Sequence, residues 1–326
     1  MKANQFMVGL AGAAMVTVAA ANAVPPASPS AEASTVIPVW PHLAVPKAKR
    51  NLTIVNTKAY GPLIKGPVYW PTLRVFPAAK GKNTGAAVVI CPGGAYVCES
   101  LFMEGTSPAH FFSRHGITSF VLIYRLPRGR LPSGGVPYPL VDVRRAIQIV
   151  RRGAARWGID PHRIGVMGFS AGGSVATLAA THWLPANPEA EDPLDRCSSR
   201  PDFTVLVYPV ISCMPKIGFH MCTQKLLGAD APMSLREYYS PELCVNSLTP
   251  PAFICFAHDD NIVNHANERS YFKALRKAGI PAKIIEFKHG RHAFGLGRPG
   301  TDSVQWPKLC LAWLRRQGLL PAHARH

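Results

Sequence analysis

The chain has 326 residues, 48% of them hydrophobic, with 36 Lys and Arg against 18 Asp and Glu for a formal net charge of +18. That length suits one large α/β domain, with two small ones as the alternative. The basic balance would suit nucleic acid, but the N-terminus argues against that partner. Lys2, the short apolar run Phe6 to Ala20 and the small-x-small Ala21-Asn22-Ala23 read as a signal peptide cut near Ala23.

The run is short and alanine-rich for a membrane anchor; an uncleaved anchor or a lipoprotein is the alternative, with no cysteine near the cut. The expected organisation is a signal peptide over 1–23, a Pro/Ala-rich leader over 24–50 and one domain over 51–320, the mature chain being secreted or periplasmic. Pro25, Pro26, Pro29, Pro38, Pro41 and Pro46 crowd the leader, which should bury little. The arginines Arg125, Arg128 and Arg130, and Arg144, Arg145, Arg151, Arg152 and Arg156, read as a solvated surface that serves solubility, the alternative being association with anionic wall polymers or a membrane surface. An exported chain with eight cysteines can form disulfides. Cys91 and Cys255 sit in apolar runs and are expected as buried thiols, Cys213 with Cys222 is the expected bonded pair, and Cys197 with Cys244 a second. None has metal-ligand spacing, and no cofactor or metal is implied.

Along the chain, Thr72 to Phe76 reads as an antiparallel edge strand, followed by strand-length apolar runs at Ala86 to Cys91 and Thr118 to Tyr124. Val143, Ala146, Ile147 and Val150 then recur at helical spacing, with arginines opposite. A strand over Ile164 to Met167 leads to a helix over Ala171 to Thr181. Strands over Phe203 to Tyr208, Phe253 to Phe256 and Ile284 to Phe287 follow. Helices over Ala266 to Ala278, capped by Gly279, and through Trp306, Leu309, Trp313 and Leu314 to Gly318 complete the order. Such alternation builds a mostly parallel sheet covered by helices on both faces. Leu184 to Ser198 and Ser212 to Leu226 show no period and are expected as loops over the site, forming a small lid.

The sharpest motif is Gly168-Phe169-Ser170-Ala171-Gly172, between a strand and a small-residue helix. A serine on a sharp strand-to-helix turn needs neighbours without bulk two positions away, and its hydroxyl then stands clear of the backbone. A glycine-rich turn without chemistry is the plain alternative. A serine nucleophile needs a base, and the base an orienting acid, in the chain order serine, acid, histidine. His258-Asp259-Asp260-Asn261 follows a strand, and Asp260 is preferred as the acid because Ile262-Val263 pins its loop; Asp259 is the fallback. His292, with glycines on both sides, is preferred as the base over His289. The amides of Gly93, Gly94 and Ala171 are the candidate oxyanion donors, since Pro92-Gly93-Gly94 also follows a strand.

From about Leu73 to Leu296 the sequence resembles the α/β-hydrolase esterases related to acetylxylan esterases and, more distantly, hormone-sensitive-lipase-type carboxylesterases. The stretches VVICPGGAY, YPLVDVRRAIQIVRRGAARWGIDPHRIGVMGFSAGG, YYSPE, HDDNIV and GRHAFGLG carry the resemblance. It implies the α/β-hydrolase fold, with Ser170 as nucleophile, Asp260 as acid, His292 as general base and an oxyanion site around Gly93, Gly94 and Ala171. Glu104 matches an acidic position of that branch and is expected to hold its loop, with lining of the acyl pocket as the alternative. Ala95 stands where relatives often carry a third glycine, and a positive φ there would strain the loop. The implied activity is hydrolysis of short-chain carboxylic esters, O-acetyl groups on polysaccharide above all. The alternatives are a general short-chain carboxylesterase, a serine peptidase and, from another class, a non-catalytic wall-binding protein.

Overall fold

Residues 35–132 and 135–321 are described by the computed structural model; the expected signal peptide and the first part of the leader lie outside them. In chain order the strands up to the first long helix are β1 (Thr35–Pro38), β2 (Thr53–Thr57), β3 (Gly61–Lys65), β4 (Thr72–Phe76), β5 (Ala87–Cys91) and β6 (Cys98–Glu99). A π-helical turn over Phe102–Thr106 runs into α1 (Ser107–Arg114), followed by β7 (Thr118–Ile123) and α2 (Tyr138–Arg152). Then come β8 (Ile164–Phe169), α3 (Ala171–Thr181), β9 (Phe203–Val207) and three short helices, α4 (His220–Leu227), α5 (Met233–Tyr238) and α6 (Pro241–Cys244). The chain continues with β10 (Ala252–Ala257), α7 (Ala266–Lys277), β11 (Ala282–Phe287) and α8 (Trp306–Arg316).

Every residue of β5, β7, β8, β9 and β10 is buried, which is why these segments are continuous apolar runs rather than alternating ones. They sit inside one sheet of order β1-β4-β7-β5-β8-β9-β10-β11. All pairs from β7 to β11 are parallel, and β4 pairs antiparallel with both β7 and β1. A separate three-stranded sheet, β2-β3-β6, has no counterpart in the sequence reading. Helices α2, α3 and α7 cover one face, burying Ile147, Val150, Val175, Leu178, Tyr271 and Leu275. Helices α1 and α8 cover the other with Phe112, Trp306, Trp313 and Leu314. This is the α/β layering expected from the alternating pattern.

Four expectations are corrected. First, β4 is not an edge strand, because the second half of the supposed leader pairs with it: Thr35 to Pro38 lie opposite Val75 to Thr72. Val39 is fully buried, and Trp40 Nε1 donates to Asp142 Oδ1 at 2.7 Å. The partner that orders this proline-rich stretch lies 102 residues away, so composition could not disclose it.

Second, Leu184 to Ser198 cannot cover the site. Helix α3 runs back from Ser170, so its C-terminal end and the connection to β9 lie at the amino edge of the sheet. There Asp192 pairs with Arg145 at 2.8 Å and Gln148 donates to the Cys197 carbonyl at 3.0 Å. Third, Ser212 to Leu226 is not wholly irregular. It contains most of α4, whose Lys225 carbonyl accepts from the Gly129 amide at 2.8 Å across the carboxyl edge.

Fourth, neither expected disulfide forms; Cys213, Cys222, Cys197 and Cys244 are free thiols. Cys213 and Cys222 are buried in the core, and desolvation pushes the Cys213 thiol up to about 12. The Cys244 thiol donates to the Tyr238 carbonyl at 3.2 Å. Cys91 and Cys255 are buried thiols, as expected.

Candidate active site

Ser170 occupies the turn between β8 and α3 with φ 50° and ψ −120°, a region that costs a non-glycine residue of order 1–3 kcal/mol and needs the surroundings to enforce it. Enforcement is steric. A Cβ on Gly168 would stand 2.1 Å from the Gly172 carbonyl oxygen, and one on Gly172 would stand 2.0 Å from the Cys91 carbonyl oxygen. The turn is also tied to the next strand: the Ser170 amide donates to the Val207 carbonyl at 3.2 Å, and the Ser170 carbonyl accepts from Val210 at 2.9 Å.

Three side chains far apart in the sequence meet here. Ser170 Oγ lies 2.8 Å from His292 Nε2, and His292 Nδ1 lies 2.7 Å from Asp260 Oδ2. The other Asp260 oxygen accepts the amides of Ile262 at 2.9 Å and Val263 at 3.2 Å, so the apolar pair does pin this carboxylate. Burial pushes the Asp260 carboxyl up, but the hydrogen bond and charge of His292 and those two amides outweigh it and hold it below the ordinary carboxylate range. Such a chain lets the imidazole take the hydroxyl proton while the carboxylate orients and stabilises the imidazolium.

The two rival residues have other work. Asp259 Oδ1 accepts the amides of Gly290 at 2.9 Å and Arg291 at 2.6 Å, fixing the loop that carries His292. His289 is 71% exposed and faces Asp259 at 3.7 Å, away from Ser170. His258 is a surface partner of Glu286 at 2.8 Å. Arg291 and Ala293, both at φ 57°, bracket His292 and turn its ring inward. Asp302 accepts the Lys288 and His289 amides at 2.7 and 3.0 Å, and Trp306 Nε1 donates to the Gly295 carbonyl at 2.9 Å.

The expected oxyanion donors need one correction. The Gly93 amide is turned onto Glu104 Oε2 at 2.9 Å and is not free. No described hydrogen bond engages the amides of Gly94 or Ala171, the latter at the first turn of α3. Gly94 has φ +129°, and a Cβ there would meet the Cys98 carbonyl oxygen at 2.2 Å. Ala95 and Tyr96 follow at φ 52° and 60°, so the alanine does sit where a glycine would relax the loop.

Glu104 holds the loop and does more. Its Oε1 accepts from the Tyr208 hydroxyl at 2.9 Å, and that hydroxyl accepts from the Gly295 amide at 3.0 Å. The loop after β5 is thus joined to the histidine loop through two buried side chains. Burial pushes the Glu104 carboxyl up, against the Tyr208 hydroxyl, the nearby His292 and the Gly93 amide, which favour its charge. Tyr208, at φ 40°, also sets its ring edge-on to His292 with centroids 4.9 Å apart. Nothing in the sequence distinguished Tyr208 from the last residue of an apolar strand. A hollow of about 700 Å³ opens beside the acid loop, between Asp260, Ile262, His265 and Lys273, rather than over Ser170.

A mostly parallel eight-stranded sheet with a strained serine at the carboxyl end of a central strand, followed by an acid and then a histidine, defines an α/β hydrolase. The family described as alpha/beta hydrolase fold matches residues 88–296, and the chain belongs to it. Over 218 residues the chain is 33% identical to an acetylxylan esterase of Xylanibacter ruminicola, a span of 66% of this chain and 42% of that protein. It is 34% identical over 211 residues to endo-1,4-beta-xylanase B of Butyrivibrio fibrisolvens, covering 63% of this chain and 32% of that one. The chain therefore spans less than half the length of these two relatives. The crystal structure of an acetyl ester-xyloside bifunctional hydrolase from Caldicellulosiruptor lactoaceticus is similar at 31% identity and a TM-score of 0.75, over 90% of this chain and 100% of that chain.

Proposed function

We propose that the chain is a serine esterase that hydrolyses short-chain carboxylic esters, with O-acetyl groups on polysaccharide as its substrate. The observation that carries this reading is the unbroken hydrogen-bonded chain from Ser170 to His292 to Asp260, at 2.8 and 2.7 Å. Ser170 Oγ attacks the ester carbonyl as His292 Nε2 removes its proton, and the Gly94 and Ala171 amides receive the developing oxyanion. The imidazolium returns the proton to the leaving alcohol. Water, deprotonated by the same imidazole, then attacks the acyl-serine and releases the acid. Family membership and the similarity to an acetylxylan esterase support acyl transfer and favour an acetyl group. The signal-like first 23 residues favour action in the periplasm or outside the cell, where polysaccharide is met.

The test is acetate release from acetylated xylan beside turnover of acetyl and octanoyl nitrophenyl esters, with Ser170→Ala as control. Acetate freed from xylan and a preference for the acetyl ester are expected. Turnover of the acetyl ester without release from xylan would leave a general short-chain carboxylesterase. Activity that survives Ser170→Ala would remove the serine mechanism itself.

A further inference from the structure

The charges of this chain are segregated along its length. Between residues 33 and 141 the only carboxylates are Glu99 and Glu104, and both are buried. The same stretch carries Lys47, Lys49, Arg50, Arg125, Arg128 and Arg130, among other cations. It builds the β1-β4-β7-β5 half of the sheet, whose carboxyl edge is therefore positive with no surface acid of its own.

A cavity of about 210 Å³ opens on that edge, lined by Val45, Val68, Tyr69, Arg125, Arg128 and Tyr138. It is smaller than the roughly 300–1,000 Å³ of a drug-sized site, a volume for one monosaccharide ring rather than an oligomer. The two arginines differ. Arg125 is neutralised by buried Asp142 at 2.6 Å and stacks over Tyr138 at 4.3 Å. The Arg128 guanidinium and the Lys49 ammonium lie 5.4 and 5.6 Å from the Tyr69 ring centre, and among the described residues no carboxylate pairs with either. Arg50 stacks over Trp70 at 4.1 Å and donates to the Val45 carbonyl, adding a further cation at the rim.

The cavity adjoins the reaction centre. Tyr124, the residue before Arg125, donates its hydroxyl to the Pro92 carbonyl at 2.7 Å, at the head of the Gly93-Gly94 loop. Only β5 separates β7 from β8, so the strand leading to the cavity and the strand ending at Ser170 stand about 10 Å apart, roughly two sugar units.

We propose that this cavity is a subsite for a carboxylate-bearing sugar of the substrate, a uronate, with its carboxylate on Arg128 and its ring against Tyr69. The assignment rests on the saccharide-ester reading and specifies its substrate as an acidic polysaccharide. A guanidinium presents paired donors that match a carboxylate, and no acidic side chain in the cavity competes for them. The aromatic face takes the apolar face of the ring.

Binding to the Ser170→Ala protein tests it, comparing a xylo-oligosaccharide that bears one glucuronate with its undecorated equivalent by calorimetry. The acidic ligand is expected to bind about tenfold tighter, as one partly exposed charge-assisted pair allows, and raised salt should narrow the gap. Adding Arg128→Gln should erase the preference and Arg128→Lys restore part of it. Arg316→Gln, the same loss of charge at the end of α8, should leave it intact. Equal binding of the two ligands, no binding of either, or a preference that survives Arg128→Gln would each overturn the subsite. The acetate assay separates the two readings. Release from xylan without acid preference rejects the subsite alone. Acid preference without release from any acetylated saccharide rejects the ester substrate instead.

Discussion

Ser170 and His292 meet at 2.8 Å, yet the backbones that bring them there are fixed by different physics. Around Ser170 the constraint is volume: strand, turn and helix approach so closely that Gly168 and Gly172 leave no room for a methyl group. Around His292 there is neither strand nor α-helix from Lys288 to Thr301, and the loop is held by polar pins from Asp259, Asp302, Trp306 and Tyr208. A steric constraint is written where it acts, as glycines in the motif. A polar pin is written in the partner, which can be a hundred residues away, as Glu104 is from Tyr208.

The largest test breaks the junction of the two regions. Asp260→Asn keeps the shape but presents an amide that prefers the wrong imidazole tautomer, and kcat for a nitrophenyl ester should fall about 10⁴-fold with the fold retained, as judged by circular dichroism. Retention of a tenth of the activity would show that Asp260 is not the acid.

On the steric side, Gly172→Ala forces a Cβ to within 2.0 Å of a carbonyl oxygen and should cost about 3 kcal/mol or more, seen as a large fall in the urea midpoint or a failure to accumulate folded protein. The polar side should be softer. Asp259→Ala strips the acceptor from two amides that water can partly replace, so a loss of about 1–2 kcal/mol is expected. Turnover should fall about tenfold with little change in KM. If the two substitutions cost the same stability, the contrast between the regions fails.

The smallest effect concerns pH. Glu268 on α7 is fully buried, and burial, reinforced by the Asp260 charge and only partly offset by its own backbone amide and Arg269, pushes its carboxyl well above the usual 4.5. A raised carboxyl in the folded state contributes stability that is fully present below about 4.5 and is lost as pH rises through the folded value. Asp260 has the opposite sign: its depressed carboxyl contributes above the ordinary 3.8 and loses that contribution as pH falls through the folded value. Glu268→Gln should therefore flatten the decline of thermal midpoint between pH 5 and pH 8 by a few degrees, without moving the acid-side loss. An unchanged slope would assign that decline elsewhere.

The same contrast decides how much could be read from the sequence. Ala86 to Cys91, Ile164 to Met167 and Phe253 to Phe256 read as central strands because burial on both faces leaves no polar alternation. Ser170 followed from its glycines, and Asp260 and His292 from their order after strand ends. It is Asp260 rather than Asp259 that reaches His292, and the Ile262 and Val263 amides do donate to it. Gly93 misled because two adjacent glycines look equivalent until Glu104 claims one amide. The leader misled because proline-rich composition describes what a stretch lacks, whereas Trp40 is ordered by what it reaches. Two cysteines near in sequence did not predict a bond, since both thiols are accommodated in the core.

The pairing of Thr35 to Pro38 with β4 carries a practical consequence. A chain begun at residue 51, where composition first looks domain-like, would lose this strand and lay bare the outer hydrogen-bonding groups of Thr72 to Phe76. An unpaired, largely buried strand of that kind is a template for another molecule to add to. Among the described residues the outermost ladder belongs instead to a four-residue strand ending in proline, and short edges of that kind recruit neighbours poorly. Loss of those few residues should favour self-association, so that shortened forms clump before they unfold.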